Sequence, residues 1–201
     1  ELRNGIKYLV VDNYLVGYLS HMCLSRYNSD LTYLAKFDLE AKEFKKVLEI
    51  EKEDFSSIHF SKKTASLYLV GSYGVEDRLY EFHLTSETLK EVKAPTSVVE
   101  KVVIMPSGNL YIQGRTSTRP NNVFVSKDNS ESWEELTRFR IPGVPEEILV
   151  EPTILTYPSF DGLEIEALLF QAKEEYSNGH VILWPHGGPQ SLERKWFRSM
   201  F

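Results

Sequence analysis

The chain has 201 residues and a formal net charge of -6, with 42% hydrophobic and 26% charged residues. This balance excludes a disordered polyelectrolyte, because the apolar surface is large enough to offset the entropy of ordering. The acidic charge disfavours a nucleic-acid partner. No apolar run approaches the roughly 20 residues that span a bilayer, so no membrane partner is expected. Cys23 is the single cysteine, which excludes an internal disulfide and is consistent with a cytoplasmic location.

Short strands separated by polar turns are predicted throughout the first 140 residues. Apolar and aromatic residues alternate there with polar ones, as is typical of half-buried strands. Glycine, proline and asparagine fall between the runs and mark turns. The segment 39–48 has weak helical spacing but is interpreted as a turn at 40–43 between two strands. The other runs that predict strands are residues 14–19, 31–39, 58–60, 67–70, 79–84, 110–112 and 123–125.

The chain also repeats. Residues 37–47, 82–92 and 125–136 each contain a strand that ends in a charged turn and then resumes, with offsets of 45 and 43 residues. Upstream of each repeat lies a strand with a small residue, namely Gly17, Gly71 and Gly114. A period in the low-to-middle forties with several strands per repeat is typical of a four-stranded β-propeller blade. Three blades are predicted, and further blades are expected outside this chain because propellers usually close with at least four.

The third repeat resembles the Asp-box pattern Ser-x-Asp-x-Gly-x-Thr-Trp found on hairpin turns of some propellers. Ser126, Asp128 and Trp133 match the pattern, whereas Ser130 replaces its glycine. Asp128 is expected to accept hydrogen bonds from the amides of its own turn, and Trp133 is expected to pack under the hairpin. Such a motif is structural, so it supports the prediction of blades without indicating chemistry.

The pattern changes after residue 140. Prolines punctuate residues 141–152, which predicts a linker because proline fixes φ and removes a ladder donor. Asp161-Gly162 between two alternating apolar segments predicts a hairpin. The fully apolar segment 181–184 predicts a strand that is buried on both faces of an α/β sheet.

The sequence His186-Gly187-Gly188-Pro189 follows that strand directly and carries the sharpest chemical signal. In α/β-hydrolases the loop after the third strand donates a backbone N–H to the tetrahedral oxyanion, and glycine lets the substrate approach the backbone. Together with the hairpin over 159–170, this motif resembles the prolyl oligopeptidase family of serine peptidases. The similarity is greatest to its acylaminoacyl-peptidase and dipeptidyl-aminopeptidase-like branch.

The resemblance implies a mainly β fold class with two partial domains. The last blades of a β-propeller would occupy residues 1–140, and the first strands of a truncated α/β-hydrolase domain would occupy 153–201. The resemblance further implies that Gly188, with Gly187, contributes an oxyanion N–H, and that His186 lies near the site without being the triad base. The family's Ser, Asp and His triad lies downstream of this motif, and no Gly-x-Ser-x-Gly elbow is present here. The fragment alone is therefore predicted to be inactive.

The full-length protein is accordingly predicted to be a serine peptidase that cleaves oligopeptides by acyl transfer. The propeller would filter access to the site, and no cofactor or metal is implied. A homo-oligomer of the full-length protein is compatible with this prediction. An esterase-like acyl hydrolase is the alternative within the same fold. A non-catalytic or Asp-box-type propeller that binds its partner is the alternative outside it, although this hypothesis leaves the segment 181–189 unexplained.

Several other residues have both a structural and a functional interpretation. His21 and Cys23 lack a third metal ligand nearby, so a metal site is disfavoured. The acidic run 49–54 is predicted to be a solvated turn between blades. Ser191 is a candidate helix N-cap. Four arginines could line a pore, bind a peptide carboxylate or simply be solvated: Arg115, Arg119, Arg138 and Arg140.

Overall fold

The structure is a computed structural model that describes residues 7–11, 14–19, 33–38, 43–48, 50, 53–127, 132–188 and 192–198. The regular secondary structure in these ranges is almost entirely β-strand, with two short 3-10 helices at Glu146–Ile148 and Glu174–Tyr176. Within them, no helix is long and apolar enough to cross a membrane. His21, Cys23 and the N-cap candidate Ser191 lie outside the described residues.

Three four-stranded antiparallel sheets follow one another along the chain, and each strand pairs with the next one in sequence. This arrangement confirms the predicted blades. Blade 1 consists of β1 (Lys7–Val11), β2 (Tyr14–Leu19), β3 (Tyr33–Asp38) and β4 (Glu43–Leu48). Blade 2 consists of β5 (Glu53–Ser61), β6 (Ser66–Tyr73), β7 (Glu76–His83) and β8 (Thr88–Val92). Blade 3 consists of β9 (Val98–Ile104), β10 (Leu110–Arg115), β11 (Asn122–Ser126) and β12 (Glu134–Glu135).

The small residue of each repeat lies on the second strand of its blade, and at Gly71 and Gly114 a side chain would meet close neighbours. A Cβ atom at Gly71 would lie 2.7 Å from Oε2 of Glu53. A Cβ atom at Gly114 would lie 2.5 Å from the carbonyl oxygen of Val98. Both approaches are shorter than van der Waals contact. The contact at Gly114 is with backbone, so packing requires glycine there, whereas a side chain at position 71 would displace the Glu53 carboxylate.

Two clusters of buried side chains join the blades face to face. Between blades 1 and 2 the cluster contains Leu34, Phe55, Leu67, Leu69, Tyr80 and Phe82. Between blades 2 and 3 it contains Tyr68, Val70, Leu79, Val99, Val102, Leu110 and Ile112. Successive residues of β6 therefore enter opposite clusters, as the alternation of side chains along a strand requires. Blade 2 is covered on both faces.

The predicted solvated turn over 49–54 is wrong at its C-terminal end. Glu53 begins β5 and is 0% exposed. Its carboxylate is held by partners on β7: Nη1 of Arg78 donates to Oε1 at 3.0 Å, and the Tyr80 hydroxyl donates to the same oxygen at 2.5 Å. Burial, followed by the bond to Glu53, raises the pKa of Tyr80 above its ordinary value. An acidic residue can be buried here because two donors from β7, the next strand but one in the sheet, bond to its carboxylate.

Trp133 packs between blades 2 and 3, and its predicted packing under the hairpin stays a prediction because residues 128–131 lie outside the described ranges. Its ring packs against the cluster between blades 2 and 3, and Nε1 donates to the carbonyl oxygen of Lys93 at 2.8 Å. Asp128 and Ser130 lie outside the described residues, so their predicted roles stay predictions.

The predicted hairpin after the blades is confirmed. Strands β13 (Thr153–Pro158) and β14 (Glu164–Leu169) pair antiparallel, with Pro158 opposite Glu164 at the turn. The Leu163 amide donates to Oδ1 of Asp161 at 3.1 Å, and Gly162 has a φ of 86°. Aspartate and glycine thus form this turn for the reasons that predicted it.

The predicted buried strand over 181–184 is wrong. These residues form no strand, and Val181, Ile182 and Leu183 are each at least 86% exposed. A strand of this composition is stabilised by neighbours on both edges and by layers on both faces. None of the described strands pairs with it, and β13 and β14 pair only with each other among the described strands.

Candidate functional site

The His186–Gly188 sequence forms an exposed bend. Gly188 has a φ of 72°, in the left-handed region that glycine adopts without strain. A Cβ atom at Gly187 would meet nothing within 4 Å, so the surrounding space is open. Nδ1 of His186 lies 3.4 Å from the carbonyl oxygen of Gly187. The bend therefore presents its backbone without obstruction by neighbouring side chains, which is the condition for a backbone group to reach a ligand.

A second surface lies where residues 192–198, here called the docking segment, meet blades 2 and 3. The Lys195 amide donates to the carbonyl oxygen of Val75 at 2.8 Å. The Lys195 carbonyl oxygen accepts a hydrogen bond from Oγ of Ser97 at 2.7 Å. Val75 lies in the turn between β6 and β7, and Ser97 immediately precedes β9. The backbone of the docking segment is therefore bonded to both blades at once.

A buried ion pair lies beneath this backbone contact. Nη2 of Arg194 contacts Oδ1 of Asp77, and the Asp77 side chain is 1% exposed. Burial lowers the pKa of the Arg194 guanidinium from its ordinary value, but an arginine stays protonated at neutral pH all the same. The two charges consequently compensate each other in a site from which water is largely excluded.

Asp77 also connects the two blades to each other. Its amide donates to the carbonyl oxygen of Ser97 at 2.8 Å, and its Oδ2 accepts the Val99 amide at 2.8 Å. Oδ1 accepts a hydrogen bond from the Ser72 hydroxyl at 3.0 Å. A single carboxylate thus contacts β6, β9 and the docking segment, and we call the line where blades 2 and 3 meet at Asp77 the seam.

Lys195 strengthens the attachment through a second set of charges. Its Nζ lies 3.0 Å from Oε1 of Glu76 and 3.6 Å from Oε2 of Glu151. Burial by itself lowers the pKa of Lys195, but the hydrogen bond and charge of Glu76, together with Glu151, raise it overall. Glu151 also accepts a hydrogen bond from Oγ of Ser117 at 2.5 Å, which fixes the end of the predicted linker to blade 3.

An aromatic contact completes the attachment. The guanidinium carbon of Arg115 lies 4.2 Å from the centroid of the Trp196 ring, within the range of a cation–π interaction. Nη2 of the same arginine pairs with Oε1 of Glu100 at 2.6 Å. Arg115 therefore joins β9, the end of β10 and the docking segment.

The four arginines considered from sequence do not converge on one open site. Arg115 and Arg119 line a cavity of about 190 Å³ at the end of blade 3, which Glu151 also lines. Arg138 and Arg140 do not line it. Each arginine has a glutamate partner: Glu100 for Arg115, Glu146 for Arg119, Glu135 for Arg138, and both Glu135 and Glu146 for Arg140. These pairings favour the structural interpretation over the capture of a peptide carboxylate.

Sequence reasoning missed Asp77, Arg194 and Lys195. Asp77 and Arg194 are 117 positions apart, and no local spacing relates them. Arg194 lies three residues after Ser191, the candidate helix N-cap. The one sequence signal for this attachment is that Arg194 and Lys195 are followed by Trp196. By itself such a basic pair is more often solvated than bonded to another part of the chain.

The fold has clear counterparts among solved structures. Puromycin hydrolase matches with a TM-score of 0.69 and 16% identity, over 92% of this chain and 29% of that chain. The AtxE2 isopeptidase bound to Astexin3-dC4 matches with a TM-score of 0.66 and 14% identity, over 98% and 29%. A structure from a study of two prolyl endopeptidases matches with a TM-score of 0.65 and 11% identity, over 84% and 24%. No protein-family model matches the chain, and no curated protein matches it in sequence.

These similarities define the class of fold: a mainly β arrangement of propeller-like blades as it occurs in peptidases of the prolyl oligopeptidase family. At 11% to 16% identity they establish the fold alone. The chain spans about a quarter to three tenths of the length of these three neighbours, since it covers 24% to 29% of them.

Proposed function

We propose that this chain belongs to a serine peptidase of the prolyl oligopeptidase family that cleaves oligopeptides by acyl transfer. Residues 1–140 would be blades of its propeller, 141–152 the linker, and 153–201 the beginning of its α/β-hydrolase domain. The observation that carries this proposal is order along the chain. Three blades precede an Asp-Gly hairpin, which precedes His-Gly-Gly, and structural neighbours that are peptidases match across nearly all of this length.

In this proposal the bend at 186–188 supplies one half of an oxyanion hole. A serine outside this chain attacks the peptide carbonyl, and the N–H of Gly188, with that of Gly187, donates to the oxygen that becomes negative. Loss of one such donor typically costs about 10²–10³ in kcat. The absence of a side chain at both positions leaves room for the substrate, and His186 lies beside the site without transferring the proton. No cofactor takes part.

The blades would restrict access, so the partner is an oligopeptide and not a folded protein. The cytoplasmic location and the homo-oligomeric state of the full-length protein stay predictions. A propeller that binds peptides without cleaving them is the second candidate, and the packing of Trp133 between blades 2 and 3 is compatible with both.

The proposal is tested by kinetics of the intact natural protein with the variant Gly188→Ala. We expect hydrolysis of short chromogenic peptides by the natural protein and a fall in kcat of about a hundredfold in the variant, with a smaller change in KM. Alanine keeps the N–H, but its Cβ is strained at the φ of 72° found at Gly188 and would displace that N–H from the oxyanion. Gly179→Ala is a matched control, because Gly179 also has positive φ, at 76°, and open space around it.

Equal losses in the two variants would show that strain anywhere in this part of the chain lowers kcat, and would contradict a role of Gly188 in the oxyanion hole. Tight binding of peptides by the natural protein without any turnover would favour the second candidate.

A further inference from the structure

We infer that Asp77 and Arg194 are positioning residues that fix the bend at 186–188 relative to the seam between blades 2 and 3. This inference rests on the proposed function, because it assigns the pair a role in placing the proposed oxyanion donors. Neither residue is expected to touch the substrate.

The first argument is the rigidity of the anchor. Asp77 is bonded to β6 through Ser72 and to β9 through the Val99 amide, and its own amide bonds the Ser97 carbonyl oxygen. A carboxylate held by this many partners has little rotamer freedom left to lose when it binds Arg194. The seam therefore offers Arg194 a preorganised partner.

The second argument is the short distance along the chain. Arg194 follows Gly188 by six residues. Six residues span at most about 20 Å even when fully extended. Fixing Arg194 on the seam consequently keeps the bend within about 20 Å of the seam, whatever path the intervening chain takes.

The third argument is the backbone geometry on either side of the ion pair. The Lys195 amide and carbonyl bond to Val75 and Ser97, which flank the start of β7 and the start of β9. These bonds fix the direction of the docking segment. The ion pair between Asp77 and Arg194 fixes how closely the segment lies against the seam. A displacement of about 1 Å at a catalytic donor can lower the rate as much as a hundredfold, so such a fixation has a functional consequence.

The experiment is a double-mutant cycle in the intact protein with Asp77→Asn, Arg194→Gln and the double variant. Asp77→Asn preserves the shape and an acceptor for the Val99 amide but removes the charge. The first readout is amide hydrogen exchange at Lys195, whose N–H reports attachment to Val75 directly. We expect the Lys195 amide to exchange about tenfold faster or more in each single variant. The double variant should exchange no faster than either single variant, because both changes break the same ion pair.

The second readout is the split between kcat and KM for peptide hydrolysis. We expect kcat to fall about tenfold to a hundredfold, with KM changed by less than about threefold, and Arg194→Lys to restore part of the loss. Lys127→Met is the matched control, because Lys127 pairs with Glu134 at 2.6 Å on the exposed side of blade 3. This variant should change neither readout.

Each outcome decides a separate question. Unchanged exchange at Lys195 would overturn the inference, since the ion pair would not hold the segment. Faster exchange with unchanged kcat would also overturn it, because the held segment would not position the reacting groups. If the natural protein cleaves no peptide, the proposed function fails, and the catalytic role inferred for the pair fails with it; the exchange data would then still report whether the pair anchors the segment. If Asp77→Asn fails to fold, Arg194→Gln alone is the test, because Arg194 lies in the docking segment and not in a blade.

Discussion

Strand β6 and strand β13 have similar apolar content but opposite surroundings. The first six residues of β6 are buried, whereas all six residues of β13 are exposed. The difference lies in the layers on each face: blade 2 is covered by blades 1 and 3, while β13 has β14 as its single partner among the described strands. Burial in this fold is therefore supplied by neighbouring sheets more than by the composition of a strand.

The largest expected effect is a difference in the free energy of unfolding between two variants, each with one leucine side chain shortened to alanine. Leu69→Ala should lower the free energy of unfolding by about 2–5 kcal/mol, because Leu69 is 1% exposed and its loss leaves a cavity. Leu183→Ala, at a residue that is 90% exposed, should change it by less than about 0.5 kcal/mol. Urea unfolding of the chain followed by tryptophan fluorescence measures both. Equal losses would contradict the assignment of burial.

The elements that the sequence predicts well are those whose signals are local. Strand alternation has a period of two residues, and the blade repeat recurs within a few tens of residues, so the blades were predictable. The Asp161-Gly162 turn was predictable because its hydrogen bond spans two positions. The segment 181–184 was mispredicted because its burial depends on partner strands, which composition does not show.

Contacts between distant parts of the chain were not predictable. Glu53 looked solvated in an acidic run because its donors, Arg78 and Tyr80, lie 25 and 27 positions away. Asp77 and Arg194 are farther apart still. For the bend at 186–188 the residue types indicate donation of a backbone N–H to an oxyanion. The position of the bend relative to the blades depends on the docking segment, and that segment has no distinctive sequence motif.

A second, smaller effect compares a buried carboxylate with an exposed one. Glu53→Gln should destabilise the chain by about 1–3 kcal/mol, because the charge-assisted bonds from Arg78 and Tyr80 are weakened in a site closed to water. Glu134→Gln is the matched control, since Glu134 forms a surface pair with Lys127, and it should cost about 0.5 kcal/mol or less. Denaturant midpoints at constant m-value report the difference. A larger loss at position 134 would refute the comparison.

The smallest effect concerns the pH dependence of the docking segment. The pKa of Lys195 is raised in the folded state, so its stabilising contribution is complete below the ordinary lysine value of 10.5 and is lost as pH rises through the raised value. Cleavage of the docking segment by a protease active in alkali should increase above pH 10.5. Lys195→Met should remove the part of this dependence that Lys195 contributes. The comparison is needed because buried Tyr68 and Tyr80 also have raised pKa values and weaken the blades in alkali.

The most direct test of the central claim is covalent capture of the nucleophile in the intact natural protein. The protein would be incubated with a fluorophosphonate probe, digested, and the labelled peptide identified by mass spectrometry. The account predicts stoichiometric labelling of one serine, located C-terminal to Phe201 in sequence and blocked by prior incubation with a substrate peptide. An absence of labelling in a protein that binds oligopeptides would contradict the peptidase assignment and leave a propeller that binds without cleaving.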